Sequence, residues 1–420
     1  MSLDVHMSEP DEFNCAELHS SISEVAHSLG IKEFHYDVDY ISGKRENYIA
    51  NVFRVLIKGD GGKNINVIVK TLVNTERQVL FHKLHEREVL VYDNVINKYK
   101  DMQKVLYEHE RLVLSDCYFW NMEKANEIIV LEDLKIKGFD VDDKVSKLEY
   151  LDFEQICAVM SELAKFHALS FVYEKQDPKK FSKVKLTFED IVYQNHFLNN
   201  SKLRNYYFES FQMSLNQVKN LDAKRKLQRI ESKLLDLLQM YTKSGDHNVL
   251  CHGDLWVNNM LFKKEGDQRS KIALIDFQAM RYANPVTDLL YFLFVCTDSI
   301  FRHEHLDQLK IIYYDSLKVF LTKFDIDVEK IYSRETFNKD IDEFVPYGLL
   351  IALIELRVVS IPHEEQVFSQ GLRVDSVMNL TEAVEARTED LEYLKHRVND
   401  VVDEAVANGA VDKLLDKINV

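Results

Sequence analysis

Glycine and proline are scarce in this chain, with 12 and 5 residues among 420. Both counts fall well under average usage, which favours long helices and few irregular loops. Cysteine is equally sparse: Cys15, Cys117, Cys157, Cys251 and Cys296 are scattered without CxxC spacing. That argues against a disulfide framework or a zinc site and for a reducing compartment. The longest apolar runs, at 289–296 and 349–354, fall far short of the ~20 residues of a membrane span. Residues 1–14 are acidic and polar, unlike a secretory signal or a transit peptide. Positive charge is in deficit, with 53 Lys and Arg against 69 Asp and Glu and a net charge of −16. Such a balance disfavours nucleic acid and anionic membrane surfaces as partners. A cytoplasmic protein is expected, with no obligate protein partner in evidence.

What is present is organised. A chain of 420 residues is long for one core, so two lobes are expected. Residues 36–73 read as strands, with Gly-Asp-Gly-Gly at 59–62 as the turn between two β-branched runs. Residues 76–110 are charged and periodic, as in one or two helices, and EIIVLEDL at 127–134 is a further apolar strand. From Asp152 the pattern changes. Phe153, Ile156, Val159, Met160, Leu163, Phe166 and Leu169 follow the 3/4 spacing of a helix. Residues 186–242 and most of the chain beyond 300 read as helical in the same sense. The pattern predicts an α+β, bilobal fold, with a small β-rich N-lobe over 1–133 and a larger α-helical C-lobe over 134–420.

The chemistry concentrates between 251 and 288. CHGDLWVNNMLF carries His252-Gly253-Asp254 with Asn259 five residues after the aspartate, and the strand KIALIDF ends with Asp276, 22 residues beyond Asp254. Phosphoryl transfer asks little covalent help of a protein. It needs phosphates held, their charge neutralised by Mg²⁺, and the attacking oxygen positioned. Asp254 on a tight loop suits the base that accepts the acceptor's hydroxyl proton. Asn259 and Asp276 offer one neutral and one charged oxygen, a ligand pair suited to Mg²⁺ beside phosphates. His252 is expected to brace the loop by hydrogen bonding. Either half alone could be a polar turn or an ordinary strand end; together and in order they specify a kinase-like site.

Lys70 ends the apolar strand INVIVK, from which an ammonium can reach α- and β-phosphate oxygens of ATP. Such a lysine needs a carboxylate, and Glu88 in HEREVLVYDNVI is the first choice, with Glu86 the rival. SGKREN at 42–47 falls where a phosphate-covering loop belongs, and Ser42, Gly43 and Asn47 are the nucleotide contacts expected from it. With one glycine it is neither GxGxxG nor a Walker A motif. In LEDL at 131–134, Glu132 and Leu134 are expected to present main-chain groups to adenine. His167 and Asp288 read as structural, a core or loop-bracing histidine and a helix-opening carboxylate that caps or braces.

SGKRENYIANVFRV, VIVKTL, EREVLVY, IVLEDL, LAKFHALS, LCHGDLWVNNMLF and LIDFQAMRYANPVTDLLYFL together resemble the ecdysteroid kinase-like family, also called CHK kinase-like. That family is related to choline kinases and aminoglycoside phosphotransferases. The resemblance runs from about residue 40 to 295. It implies a bilobal protein-kinase-like fold, ATP and Mg²⁺ as cofactors, and transfer of the γ-phosphate to a hydroxyl on a small molecule, typically a steroid such as an ecdysteroid. It assigns Asp254 as base, Asn259 and Asp276 as metal ligands, Lys70 as the phosphate-binding lysine and Glu88 as its partner. One departure is His85, where the family often has Phe three residues before the helix glutamate. A choline, ethanolamine or aminoglycoside-type kinase would use the same residues. A non-catalytic, kinase-fold steroid-binding protein is the alternative from another class. A protein kinase is disfavoured, because HGD replaces HRD and no APE follows.

Overall fold

The computed structural model describes residues 15–40, 50–72, 75–124, 126–142, 150–200, 203–265, 269–360 and 388–418. The chain divides into two compact units. The smaller takes in the described residues up to Asn97 together with Leu114–Asp140, and the larger has Lys98–Val113 and the described residues from Val141 onward.

The smaller unit is built on one antiparallel sheet of order β1-β2-β3-β5-β4, with β1 Phe34–Tyr40, β2 Asn51–Gly59, β3 Asn64–Thr71, β4 Cys117–Asn121 and β5 Ile128–Glu132. The glycine-rich turn joins β2 to β3 as expected. Gly59 N–H closes it on Lys63 O at 2.8 Å, and Gly62 takes φ +79°, a conformation that costs glycine nothing. Alternation in the strands sorts residues between two faces. Val55, Ile57, Val67, Val69, Ile128 and Val130 pack on one face with Leu18, Ile22, Val25 and Ala26 of helix Cys15–Ser28. That helix was not anticipated, although the spacing of its buried residues is helical. Lys70, adjacent in sequence to Val69, falls on the opposite face, and the helix Thr75–Val91 follows β3.

The larger unit is mostly helical. Helix Phe153–Gln176 starts on a reciprocal cap, in which Asp152 accepts from Gln155 N–H at 2.9 Å and Gln155 Oε1 accepts from Asp152 N–H at 3.0 Å. By length and composition this helix could cross a membrane, but 67% of its apolar window is buried as core, against helix Ser299–Thr322 and the strand Arg269–Leu274. Helix Val286–Cys296 is buried along its whole length and lies against helix Arg334–Ser360. Gly348 permits that approach: a Cβ there would meet the Phe294 ring at 2.7 Å. Two small ladders complete the unit, β6 Val249–Cys251 with β9 Arg281–Ala283, and β7 Met260–Glu265 with β8 Arg269–Leu274.

Candidate active site

The two ladders assemble the site in the larger unit. Met260 pairs with Leu274 in the β7–β8 hairpin, and beyond that pair Ile275 N–H donates to Asn259 O at 3.1 Å. The register thus sets Asn259 beside the segment that carries Asp276, across one short hairpin. Cys251 pairs with Arg281 across β6–β9, which lays the His252-Gly253-Asp254 turn against residues 276–280.

Close approach dictates the glycine. Gly253 has φ +87°, and a Cβ on it would lie 2.0 Å from Ala279 O. Asp276 is itself left-handed at φ 65° and ψ 67°. A non-glycine residue held there stores strain, which concentrates at functional positions.

Asp254 is held at both oxygens. Tyr291 Oη donates to Oδ1 at 2.8 Å, and Asn259 Nδ2 donates to Oδ2 at 3.0 Å and to Asp254 O at 2.8 Å. Burial raises the Asp254 carboxyl above its ordinary value; the Tyr291 hydrogen bond opposes this and the Asp276 charge adds to it. With Nδ2 committed to Asp254, Asn259 presents Oδ1 on the other side of its amide. Asn259 Oδ1 and the Asp276 carboxylate are hard oxygen donors, the set that suits Mg²⁺.

Asp288 is the brace. Its carboxylate accepts the N–H groups of His252 at 2.6 Å and Gly253 at 2.9 Å, and His167 Nε2 lies 3.1 Å away. His167 Nδ1 meets Tyr313 Oη at 2.7 Å. Burial would push Asp288 up, but the His167 hydrogen bond, the charges of His167 and His252, and the Gly253 N–H hold it below the usual carboxylate range. Cys251 joins His167 and Asp288 with one ligand-type atom each inside 4.8 Å. Those atoms are engaged by Tyr313, by the loop N–H groups and, for the thiol, by Ala283 O at 3.4 Å, so the cluster is a hydrogen-bonded strut. His252 Nε2 donates to Ile275 O at 2.8 Å and its Nδ1 faces Asp254 N–H at 3.4 Å, tying the loop to the end of β8.

Several members escaped the sequence reading. Arg281 is buried, donates to Gly253 O and pairs with Asp190 at 3.1 Å, its guanidinium lying over the Tyr193 ring. Tyr291 sits one helical turn after Asp288, on the same face, and that spacing was the available signal. Glu355 had none.

In the smaller unit Lys70 Nζ lies 2.6 Å from Glu88 Oε2, with both side chains buried. Glu86 turns instead to His82 at 3.1 Å and Lys83 at 2.5 Å. His85 is buried against Asn121 O at 2.9 Å, and burial drives its imidazole down to about 4. Glu132 pairs with Lys137 at 2.6 Å while its N–H donates to Asp116 O at 2.8 Å. Leu134 O accepts from Phe139 N–H at 3.2 Å. Main-chain groups of this segment are therefore partly engaged within the unit. Ser42, Gly43 and Asn47 lie outside the described residues.

An antiparallel sheet unit, a helical unit and an HGD loop set against an Asn–Asp pair define the protein-kinase-like fold of small-molecule kinases. Residues 44–326 match the ecdysteroid kinase-like family, and the chain belongs to it. Among curated proteins it is similar to the uncharacterized oxidoreductase dhs-27 of Caenorhabditis elegans, at 22% identity over 294 residues, 65% of this chain. The match spans about a third of that relative's length, 34%. Among solved structures it is similar to Plasmodium vivax ethanolamine kinase, with TM-score 0.44 and 12% identity over 94% of this chain and 90% of that one. It is also similar to amicoumacin kinase hAmiN in complex with AMP-PNP, Ca²⁺ and Ami, with TM-score 0.43 and 11% identity over 93% and 94% of the two chains.

Proposed function

We propose that this protein transfers the γ-phosphate of ATP to a hydroxyl group of an apolar metabolite of the ecdysteroid or related steroid class. The observation that carries the reaction is the loop geometry. Asp254 is fixed at both oxygens by Tyr291 and Asn259, on a turn that Asp288 and His252 hold rigid. The family match supports the substrate class.

Asp254 takes the proton of the acceptor hydroxyl as its oxygen bonds to the γ-phosphorus. The bond from that phosphorus to the bridging oxygen breaks, and ADP leaves with the electron pair. Asn259 and Asp276 would hold Mg²⁺, which neutralises phosphate charge when bound. Lys70, steadied by Glu88, supplies the cation for the α- and β-phosphate oxygens. We also place the protein in the cytoplasm, a location that suits free thiols at Cys117, Cys157, Cys251 and Cys296.

The test is ADP release with Mg²⁺-ATP against ecdysone, 20-hydroxyecdysone, other sterols, choline, ethanolamine and an aminoglycoside, with product mass checked for one added phosphate. A phosphorylated steroid, lost in Asp254→Asn, is the expected result. Phosphorylation of choline or an aminoglycoside alone would remove the steroid assignment. Turnover unchanged by Asp254→Asn would remove the mechanism.

A further inference from the structure

Glu355, on helix Arg334–Ser360 of the larger unit, is far in sequence from every motif above. Its Oε2 accepts from Tyr206 Oη at 3.2 Å, and among the described residues it has no other hydrogen bond or ion pair. The groups that face it are acidic or phenolic. Asp254 comes from the catalytic loop, Tyr291 from helix Val286–Cys296, Tyr206 and Tyr207 from helix Leu203–Gln217, and Tyr193 from the segment before it. The phenols form a continuous cluster, with ring centroids 5.6 Å apart for Tyr193 and Tyr207 and 5.5 Å for Tyr206 and Tyr207.

Cations on the surrounding elements are committed elsewhere. Arg281 holds Asp190 and Gly253 O. Arg397, from helix Thr388–Ala407, donates to Val295 O and Thr297 O. Arg204, on helix Leu203–Gln217, lies over the Phe208 ring and donates to Asn195, and Arg357, on helix Arg334–Ser360 with Glu355, reaches Ser210. Helices Leu234–Thr242 and Ala410–Ile418 pack along the same helix nearer its start, where Tyr241 meets Phe344 and Tyr347, and Lys417 lies 4.0 Å from Glu343.

A carboxylate in this setting, beside a second carboxylate and with no cation paired to it among the described residues, is unstable as an anion and is relieved by taking up a proton. Burial first, and then the Asp254 charge, push Glu355 up to about 8, against the opposing Tyr206 hydrogen bond. Half-buried beside Asp254 and the phenols, the side chain favours the carboxylic acid at neutral pH, a form that can donate where a carboxylate can only accept.

We propose that Glu355 is a specificity-determining residue of the acceptor site: Tyr206 fixes one of its oxygens, and the other, as a neutral acid, donates a hydrogen bond to a second oxygen of the acceptor. This selects neutral, polyoxygenated alcohols over amino alcohols, because an ammonium group would require the anion. The inference rests on the kinase reading and deepens it by naming the substrate chemistry.

The test uses the full-length chain and the infrared carbonyl stretch of a neutral carboxylic acid, taken as wild type minus Glu355→Gln across a pH titration. The signal is expected at pH 7 and is lost as pH rises through about 8. In Asp254→Asn it is lost at lower pH, since the neighbouring charge is gone. Added 20-hydroxyecdysone is expected to shift the band at pH 7 without abolishing it. Absence of the band at pH 7 overturns the proposal, as does its loss on adding choline or ethanolamine. In the kinase assay Glu355→Ala raises the acceptor KM about tenfold or more with a smaller change in kcat, whereas Glu355→Gln, which keeps a neutral donor, stays within about threefold. Equal KM in both variants and wild type also overturns it. The two readings fail separately: no ADP release with any alcohol sinks the kinase assignment, while an active enzyme without the band sinks only the role of Glu355.

Discussion

Tyr291 donates its phenol hydrogen to Asp254 Oδ1 at 2.8 Å, so one oxygen of the base is fixed by a helix that the catalytic loop does not belong to. Asp254 can then turn only as far as Tyr291 and Asn259 allow.

Tyr291→Phe removes that bond and little else. A hydrogen bond to a charged group contributes about 1.5–3 kcal/mol, so kcat should fall about tenfold or more while ATP affinity holds. The Tyr291 bond also opposes the upward shift of Asp254. Without it the carboxyl titrates higher, and the acid limb of the pH–rate profile moves to higher pH. A steady-state pH series on both proteins measures this, and an unmoved limb would count against Asp254 as the base.

Asp288→Ala strips a buried carboxylate from the N–H groups of His252 and Gly253 and from His167. Breaking such a buried charge network typically costs about 3–5 kcal/mol, to be read from urea unfolding at pH 7. Asp288 is held below the ordinary carboxylate value, so its contribution is complete above about pH 4, the unfolded value. It fades as pH falls through the folded value. The destabilisation by Asp288→Ala should therefore shrink in acid; a constant difference down to pH 3 would contradict the assigned ionisation.

Gly253→Ala places a methyl 2.0 Å from Ala279 O at a residue with φ +87°. The left-handed conformation alone costs about 1–2 kcal/mol for a residue with a Cβ, and the clash forces the loop off residues 276–280. A lowered melting temperature and kcat reduced by orders of magnitude are expected. Native stability in this variant would count against the close approach of Gly253 to Ala279.

Lys70→Met and Glu88→Gln should each weaken binding of a fluorescent ATP analogue about tenfold or more, since a buried ion pair is broken in both. Glu86→Gln should leave binding unchanged, because Glu86 faces His82 and Lys83. The reverse order would return the partner role to Glu86.

Much of this was legible locally. The β2–β3 hairpin rested on four residues of turn chemistry, and helix Phe153–Gln176 on a cap and a periodic apolar stripe, all short-range properties of the backbone. The catalytic loop was readable for the same reason, since HGDxxxxN and the strand ending at Asp276 are fixed by a hairpin register that spans few residues. Helix Cys15–Ser28 was not anticipated: its apolar positions are helically spaced but follow directly on a polar, acidic stretch.

Residue types and their order along the chain limit which reaction the protein can run. Which of those residues meet is set by the packing of whole elements. Glu88 rather than Glu86 reaches Lys70 because helix phase, not sequence distance, selects the face toward the sheet. Tyr206 meets Glu355 across 149 positions because helix Leu203–Gln217 packs on helix Arg334–Ser360, and no local pattern encodes a contact made by the burial of whole helix faces. Asp288 ends beneath Gly253 for the same reason: buried N–H groups require an acceptor, and the packed core, rather than any neighbouring residue, supplies it.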